Sequence, residues 1–112
     1  MMANLSKLME QAGQLQAQMK QAQQELEKIK IRGVAGGDLV MVTLNGKYAC
    51  HEVKISSSLL KESVEVIEDT VKAAINDAVR KTERELSKRM SELASTLKLL
   101  DDNYPKDADN RD

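Results

Sequence analysis

From Leu5 the apolar positions run Leu5, Leu8, Ala12, Leu15, Met19, Ala22, Leu26 and Ile29, alternating steps of three and four. That spacing predicts an amphipathic helix with a narrow apolar seam. At about 1.5 Å per residue, such a segment reaches roughly 40 Å. Gly13 lies off the seam and weakens the helix by about 1 kcal/mol relative to Ala. The seven glutamines all fall between Gln11 and Gln24, coating this helix with neutral hydrogen-bonding groups.

The period then changes from helical to alternating. Gly33-Val34-Ala35-Gly36-Gly37 runs into LVMVTLNGKYACHEVKI, from Leu39 to Ile55. Asn45-Gly46 between two alternating runs predicts a two-residue type I′ hairpin, since both of its central positions need positive φ. Pairing Leu44 with Lys47 would set Val40, Val42, Ala49, His51, Val53 and Ile55 on one face. Leu39, Met41, Thr43, Tyr48 and Cys50 would take the other. A further strand ending near Val34 would join through Ala35-Gly36-Gly37 to give a three-stranded antiparallel meander. Both faces are partly apolar and one chain's helices can cover only one, so the face carrying Leu39, Met41, Thr43, Tyr48 and Cys50 is expected to meet a second copy.

After Ser56-Ser57-Ser58, which offers N-cap hydroxyls, Leu59-Leu60 predicts a first helical turn before a long helix beginning near Glu62. Its stripe includes Val64, Ile67, Val71, Ile75, Ala78, Val79, Thr82, Leu86, Met90, Leu93, Leu97 and Leu100. The fold class is α+β, ordered long helix, three-stranded antiparallel β-meander, long helix. Residues 1–100 are expected to form one dimerising domain, and residues 101–112 an acidic disordered tail.

Composition sharpens this picture. A chain of 112 residues without Trp or Phe, and with Tyr48 and Tyr104 as its tyrosines, must build a small core from Leu, Val, Ile and Met. That again favours association. The net charge of −1 argues against a nucleic-acid partner only until its distribution is considered. Five Asp against Lys106 and Arg111 make residues 101–112 acidic, which leaves the body mildly basic. Leu59 to Val79 is acidic, whereas Arg80, Lys81, Arg84, Lys88 and Arg89 crowd the following stretch. Arg80, Arg84 and Lys88 recur every four residues and so share a helix face.

Catalytic and metal chemistry find no footing. Cys50 and His51 are adjacent, but neighbours on a strand point to opposite faces and cannot act as nucleophile and base. One His and one Cys make no transition-metal cluster, and a single Cys no internal disulfide. The glycines at 33, 36 and 37 lack the Gly-Lys-Ser/Thr that a phosphate-cradling loop requires. Two tyrosines make no stacking platform for single strands. No catalytic residue, metal, cofactor or small-molecule substrate is expected. No run approaches the roughly 18 apolar residues of a membrane span, so no membrane association is expected and the chain reads as cytoplasmic.

The segments NLSKLMEQAGQLQAQM, AGGDLVMVTLNGKY with VKI, and AINDAVRKTEREL together resemble the YbaB/EbfC family of bacterial nucleoid-associated DNA-binding proteins. The similarity runs from about Leu5 to Leu93. It implies a tweezer-like homodimer joined through the sheets, with projecting helices that bind double-stranded DNA, no enzymatic activity and a place on the nucleoid. By the family's pattern the DNA-binding residues would be Lys7 and Lys20 on the first helix with Arg80, Lys81, Arg84, Lys88 and Arg89 on the last. Glu10 stands where the family often has Lys, and Ser56-Ser57 where Asp-Pro is common.

No recognition-helix motif with base-reading side chains is evident, which points to phosphate contacts with little sequence readout. The alternative is a prefoldin-like coiled-coil chaperone or adaptor, in which paired helices project from a β platform and hold clients. Exposed Leu97, Leu99 and Leu100 would favour it.

Overall fold

The computed structural model describes residues 2–102. Helix α1 spans Met2–Lys28, strands β1, β2 and β3 span Ile31–Ala35, Val40–Leu44 and Cys50–Ile55, a single 3-10 turn covers Leu59–Lys61, and helix α2 spans Val64–Asp102. The expected order of helix, antiparallel meander and helix is therefore what the chain forms. The sheet runs β1-β2-β3, both pairings antiparallel. The chain divides into two compact units, one running to Thr82 and one beginning at Glu83. The acidic tail beyond Asp102 lies outside the described residues.

α1 contains no Pro and no β-branched Val, Ile or Thr, all of them disfavoured in a helix interior. Its seam residues Leu5, Leu8, Leu15 and Met19 are nevertheless exposed. Burial begins only near its end, where Leu26 and Ile29 are half-covered. Lys28 closes the helix with a positive charge at the negative end of its dipole.

The core lies where α2 crosses the sheet. Val40, Val42, Leu44, Leu59, Ala74 and Ala78 form it, with Leu39, Ile67 and Val71 packed alongside. Full burial of Val40 and Val42 stabilises the fold by about 1.5–3 kcal/mol each. Gly33 of β1 sits directly under α2, and a Cβ there would strike the backbone of Ala74 and Ala78. A glycine on the strand facing two alanines on the helix is what lets the two backbones approach so closely. Thr82 is fully buried and donates its hydroxyl to the carbonyl of Ala78 at 2.8 Å, so its polar atom is satisfied within its own helix.

α2 is capped by Ser63 rather than by the earlier serines. The Ser63 Oγ accepts from the N–H of Val66 at 3.3 Å. Ser56 to Ser58 instead lead into the 3-10 turn, whose Leu59 is pinned in the core.

The hairpin register corrects the sequence reading. Val42 faces Val53, not Ala49, and Val40 faces Ile55, not His51. Thr43 pairs with Glu52 and Leu44 with Cys50, leaving His51 as the extra residue of a bulge. The turn is not type I′. Among the described residues the non-glycine with positive φ is Tyr48, and Gly46 is absent from the positive-φ glycines. The Asn45 side chain organises a longer loop, its Oδ1 accepting from the N–H groups of Lys47 at 2.8 Å and Ala49 at 3.0 Å. By contrast Gly36 and Gly37, with φ of 64° and 71°, make the left-handed β1–β2 turn that glycine allows.

This register also splits the five residues expected to share one face. Leu39 packs against the core, Tyr48 belongs to the hairpin loop, and Cys50 lies opposite buried Leu44. Of the five, Met41 and Thr43 alone sit at alternate positions of β2 on the face away from α2.

Candidate nucleic-acid interface

Asp77 organises the cations nearest the sheet. Its Oδ2 accepts from the backbone N–H of Val34 at 2.9 Å and pairs with Lys81 Nζ at 2.9 Å. Lys81 Nζ in turn donates to the carbonyl of Arg32 at 3.1 Å. β1 is an edge strand, and this pair of α2 side chains satisfies one donor and one acceptor on its open edge. The Val34 N–H, followed by Lys81, holds the Asp77 carboxyl below its ordinary pKa. Arg80 lies 3.8 Å from the same carboxylate but is itself well exposed. Lys81 is thus engaged within the fold, while Arg80 remains open to a partner.

In the unit from Glu83 onward, Arg89 pairs with Glu85 at 3.2 Å. Arg84 and Lys88 are exposed and, among the described residues, in no ion pair. Four positions apart on one helix, they share a face. Lys7 and Lys20 are both exposed on α1. Thirteen residues of helix separate them by about 20 Å and turn them to different sides, so the structure does not bring them together.

A further basic group escaped the sequence reading. Lys30, Arg32, His51 and Lys54 line a cavity of about 300 Å³ with Thr43 and Glu52, on the sheet face away from α2. Only the correct register reveals it, because it places Arg32, Thr43 and Glu52 in one row across the three strands. Among the described residues there is no group of three or more His, Cys, Asp or Glu able to hold a metal ion. Cys50 is exposed and unbridged. No described helix is long and apolar enough to cross a membrane.

Over nearly the whole chain, residues 1–97, the sequence matches a known protein family. The chain belongs to the YbaB/EbfC DNA-binding family. A nucleoid-associated protein of Legionella pneumophila is 39% identical over 99 residues, 88% of each chain. One from Francisella tularensis is 49% identical over 80 residues, 71% of each. In three dimensions the chain is similar to the crystal structure of an uncharacterized protein from Helicobacter pylori. That likeness has a TM-score of 0.66 at 20% identity, covering 80% of this chain and 95% of the other, and it bears on the fold. Membership in the YbaB/EbfC family supports DNA as a partner of this chain.

Proposed function

We propose that this chain acts on the nucleoid as a homodimer that binds double-stranded DNA, chiefly through backbone phosphates and with little base readout, and that it is not an enzyme. Membership in a DNA-binding family whose relatives are named nucleoid-associated carries the reading. Arg84 and Lys88, exposed and in no ion pair among the described residues, supply its chemistry, with Arg80, Arg89, Lys7 and Lys20 as further phosphate contacts. Lys81 takes a structural part instead, because its ammonium is already held by Asp77 and the Arg32 carbonyl.

The second copy covers the side of the sheet on which α2 lies. Val53 and Ile55 of β3 pair with Val42 and Val40, so they point to that side, yet remain 49% and 42% exposed. On α2, Ile67, Val71 and Ile75 line a groove of about 380 Å³ with Glu68, Lys72 and Asn76. An apolar strip of this kind on a small core is what a dimer would bury.

Titration of a labelled duplex at several salt concentrations tests the reading. Affinity should fall linearly on a log–log plot, with a slope of about −0.9 per phosphate neutralised. Affinity independent of salt would remove phosphate contacts from the mechanism. The prefoldin-like alternative draws on the exposed α1 seam of Leu5, Leu8, Leu15 and Met19; the side chains of Leu97, Leu99 and Leu100 lie outside the described residues. Suppression of client aggregation without duplex binding would favour it.

A further inference from the structure

The polar face of the sheet poses a chemical question at Thr43. Its residue is only 4% exposed, and its Oγ1 is a buried polar atom without a hydrogen-bond partner. Leaving a buried hydroxyl unpaired costs about 1–3 kcal/mol, and Val fills the same space on a strand without that cost. A threonine at this position is explained if its partner comes from outside the chain.

What surrounds Thr43 indicates the partner's charge. Thr43 lines the cavity between Arg32 on β1 and Glu52 on β3, its two cross-strand neighbours. Lys30, two residues before Arg32, and Lys54, two residues after Glu52, extend the same lining, with His51 at the bulge. Three fixed cations thus stand against one carboxylate. Glu52 reaches Lys54 only at 3.9 Å, and among the described residues neither Lys30 nor Arg32 is in an ion pair. Unspent guanidinium and ammonium donors around a hydroxyl donor fit a tetrahedral oxyanion, for which Arg supplies paired N–H groups and Lys a point charge.

We propose that this cavity is a phosphate-binding site, formed by Thr43, Arg32, Lys30 and Lys54, that engages a backbone phosphate of duplex DNA in addition to the cations of α2. It rests on the DNA-binding reading for the source of the phosphate, but not for the chemistry of the site. The bulge at His51 opens the strand there, as bulges commonly do beside binding sites.

Amide NMR of the full chain, titrated with inorganic phosphate and with chloride at matched ionic strength, tests the site directly. Phosphate should shift the amides of residues 30–32, 43 and 51–54, and chloride should not. A short duplex should shift the same set. Thr43→Val should leave the free protein as stable or more stable while weakening the phosphate response severalfold. Lys30→Glu with Lys54→Glu should abolish that response and flatten the salt dependence of duplex binding by about one unit of slope for each phosphate no longer engaged. Arg84→Glu should leave the phosphate shifts of the sheet intact. Equal shifts with phosphate and chloride would overturn the site, as would full duplex affinity and salt slope in the double variant. Phosphate shifts in a protein that binds no duplex would keep the site for a free phosphate or nucleotide, and would refute the DNA reading instead.

Discussion

The backbone N–H of Gly46 donates to the carbonyl of Leu26 at 2.8 Å. This bond ties the β2–β3 loop to the end of α1, where the last carbonyls have no partner within the helix. The neighbouring Asn45 side chain reaches the carbonyl of Glu27 at 3.3 Å, and Lys47 pairs with the Glu27 carboxylate at 2.9 Å. The hairpin thus serves as the C-terminal cap of a helix that buries almost nothing else. The same closeness explains the glycine: a Cβ on residue 46 would lie 2.9 Å from both the Leu26 carbonyl oxygen and its Cδ2.

Gly46→Ala should therefore destabilise the protein by about 1–3 kcal/mol, the usual cost of overpacking a close contact. Urea unfolding measures it. A change below a few tenths of a kcal/mol would mean that α1 is not held by this loop.

Gly13 offers the opposite case. Nothing lies within 4 Å of a Cβ built there, and the residue sits within α1 at an exposed position. Gly13→Ala should raise the helix content by circular dichroism and stabilise the protein by up to about 1 kcal/mol. Unchanged helicity would show that α1 gains nothing from propensity at this point.

The contrast between these two glycines shows what local pattern can and cannot reveal. Heptad spacing found α1, alternation found the strands, and Asn45-Gly46 marked the reversal, because each depends on near neighbours. The turn's true geometry depends on Leu26 and Glu27, some twenty residues away, and no short-range rule contains them. A wrong register then propagated: it put Cys50 and Tyr48 beside Met41, and hid the row Arg32, Thr43, Glu52. The basic stripe was legible as composition, but the engagement of Lys81 by the Arg32 carbonyl of β1 was not, since it joins residues 49 apart in sequence.

Asp77 makes stability depend on acid. Its carboxyl titrates below the ordinary value of 3.8 because the ionised form accepts the Val34 N–H and meets Lys81. A depressed folded-state pKa stabilises the fold fully above the unfolded value and loses that contribution as pH falls through the folded one. Asp77→Asn should be less stable than the parent near pH 7, with the gap narrowing below about pH 4. A gap that stayed constant from pH 7 to pH 3 would assign the loss to packing rather than charge.

Cations on α2 should divide by their engagement. Arg84→Glu or Lys88→Glu should weaken duplex binding for all sequences alike and lower the salt slope by about one, with little effect on stability. Lys81→Gln should cost roughly 0.5–1 kcal/mol of stability and leave the slope nearly unchanged. If Lys81→Gln instead lowered the slope as much as Arg84→Glu, Lys81 would have to leave Asp77 and the Arg32 carbonyl to meet DNA.

The register decides which substitution should separate two copies. Met41 lies on the face shared with Arg32, Glu52 and Lys54, so an acid there stands among charges beside water. Val53 and Ile55 lie on the sheet face that carries α2, where a second copy would exclude water. An unpaired carboxylate buried in such a contact costs several kcal/mol, enough to shift a dimer to monomers at micromolar concentration. Val53→Asp should therefore sediment as a monomer with its helix content retained, because Val53 is half exposed in the single chain and contributes little to its core. Met41→Asp should remain a dimer. The reverse pattern, with Met41→Asp monomeric and Val53→Asp dimeric, would return the interface to the sheet's polar face, and would close the Thr43 cavity to phosphate at the same time.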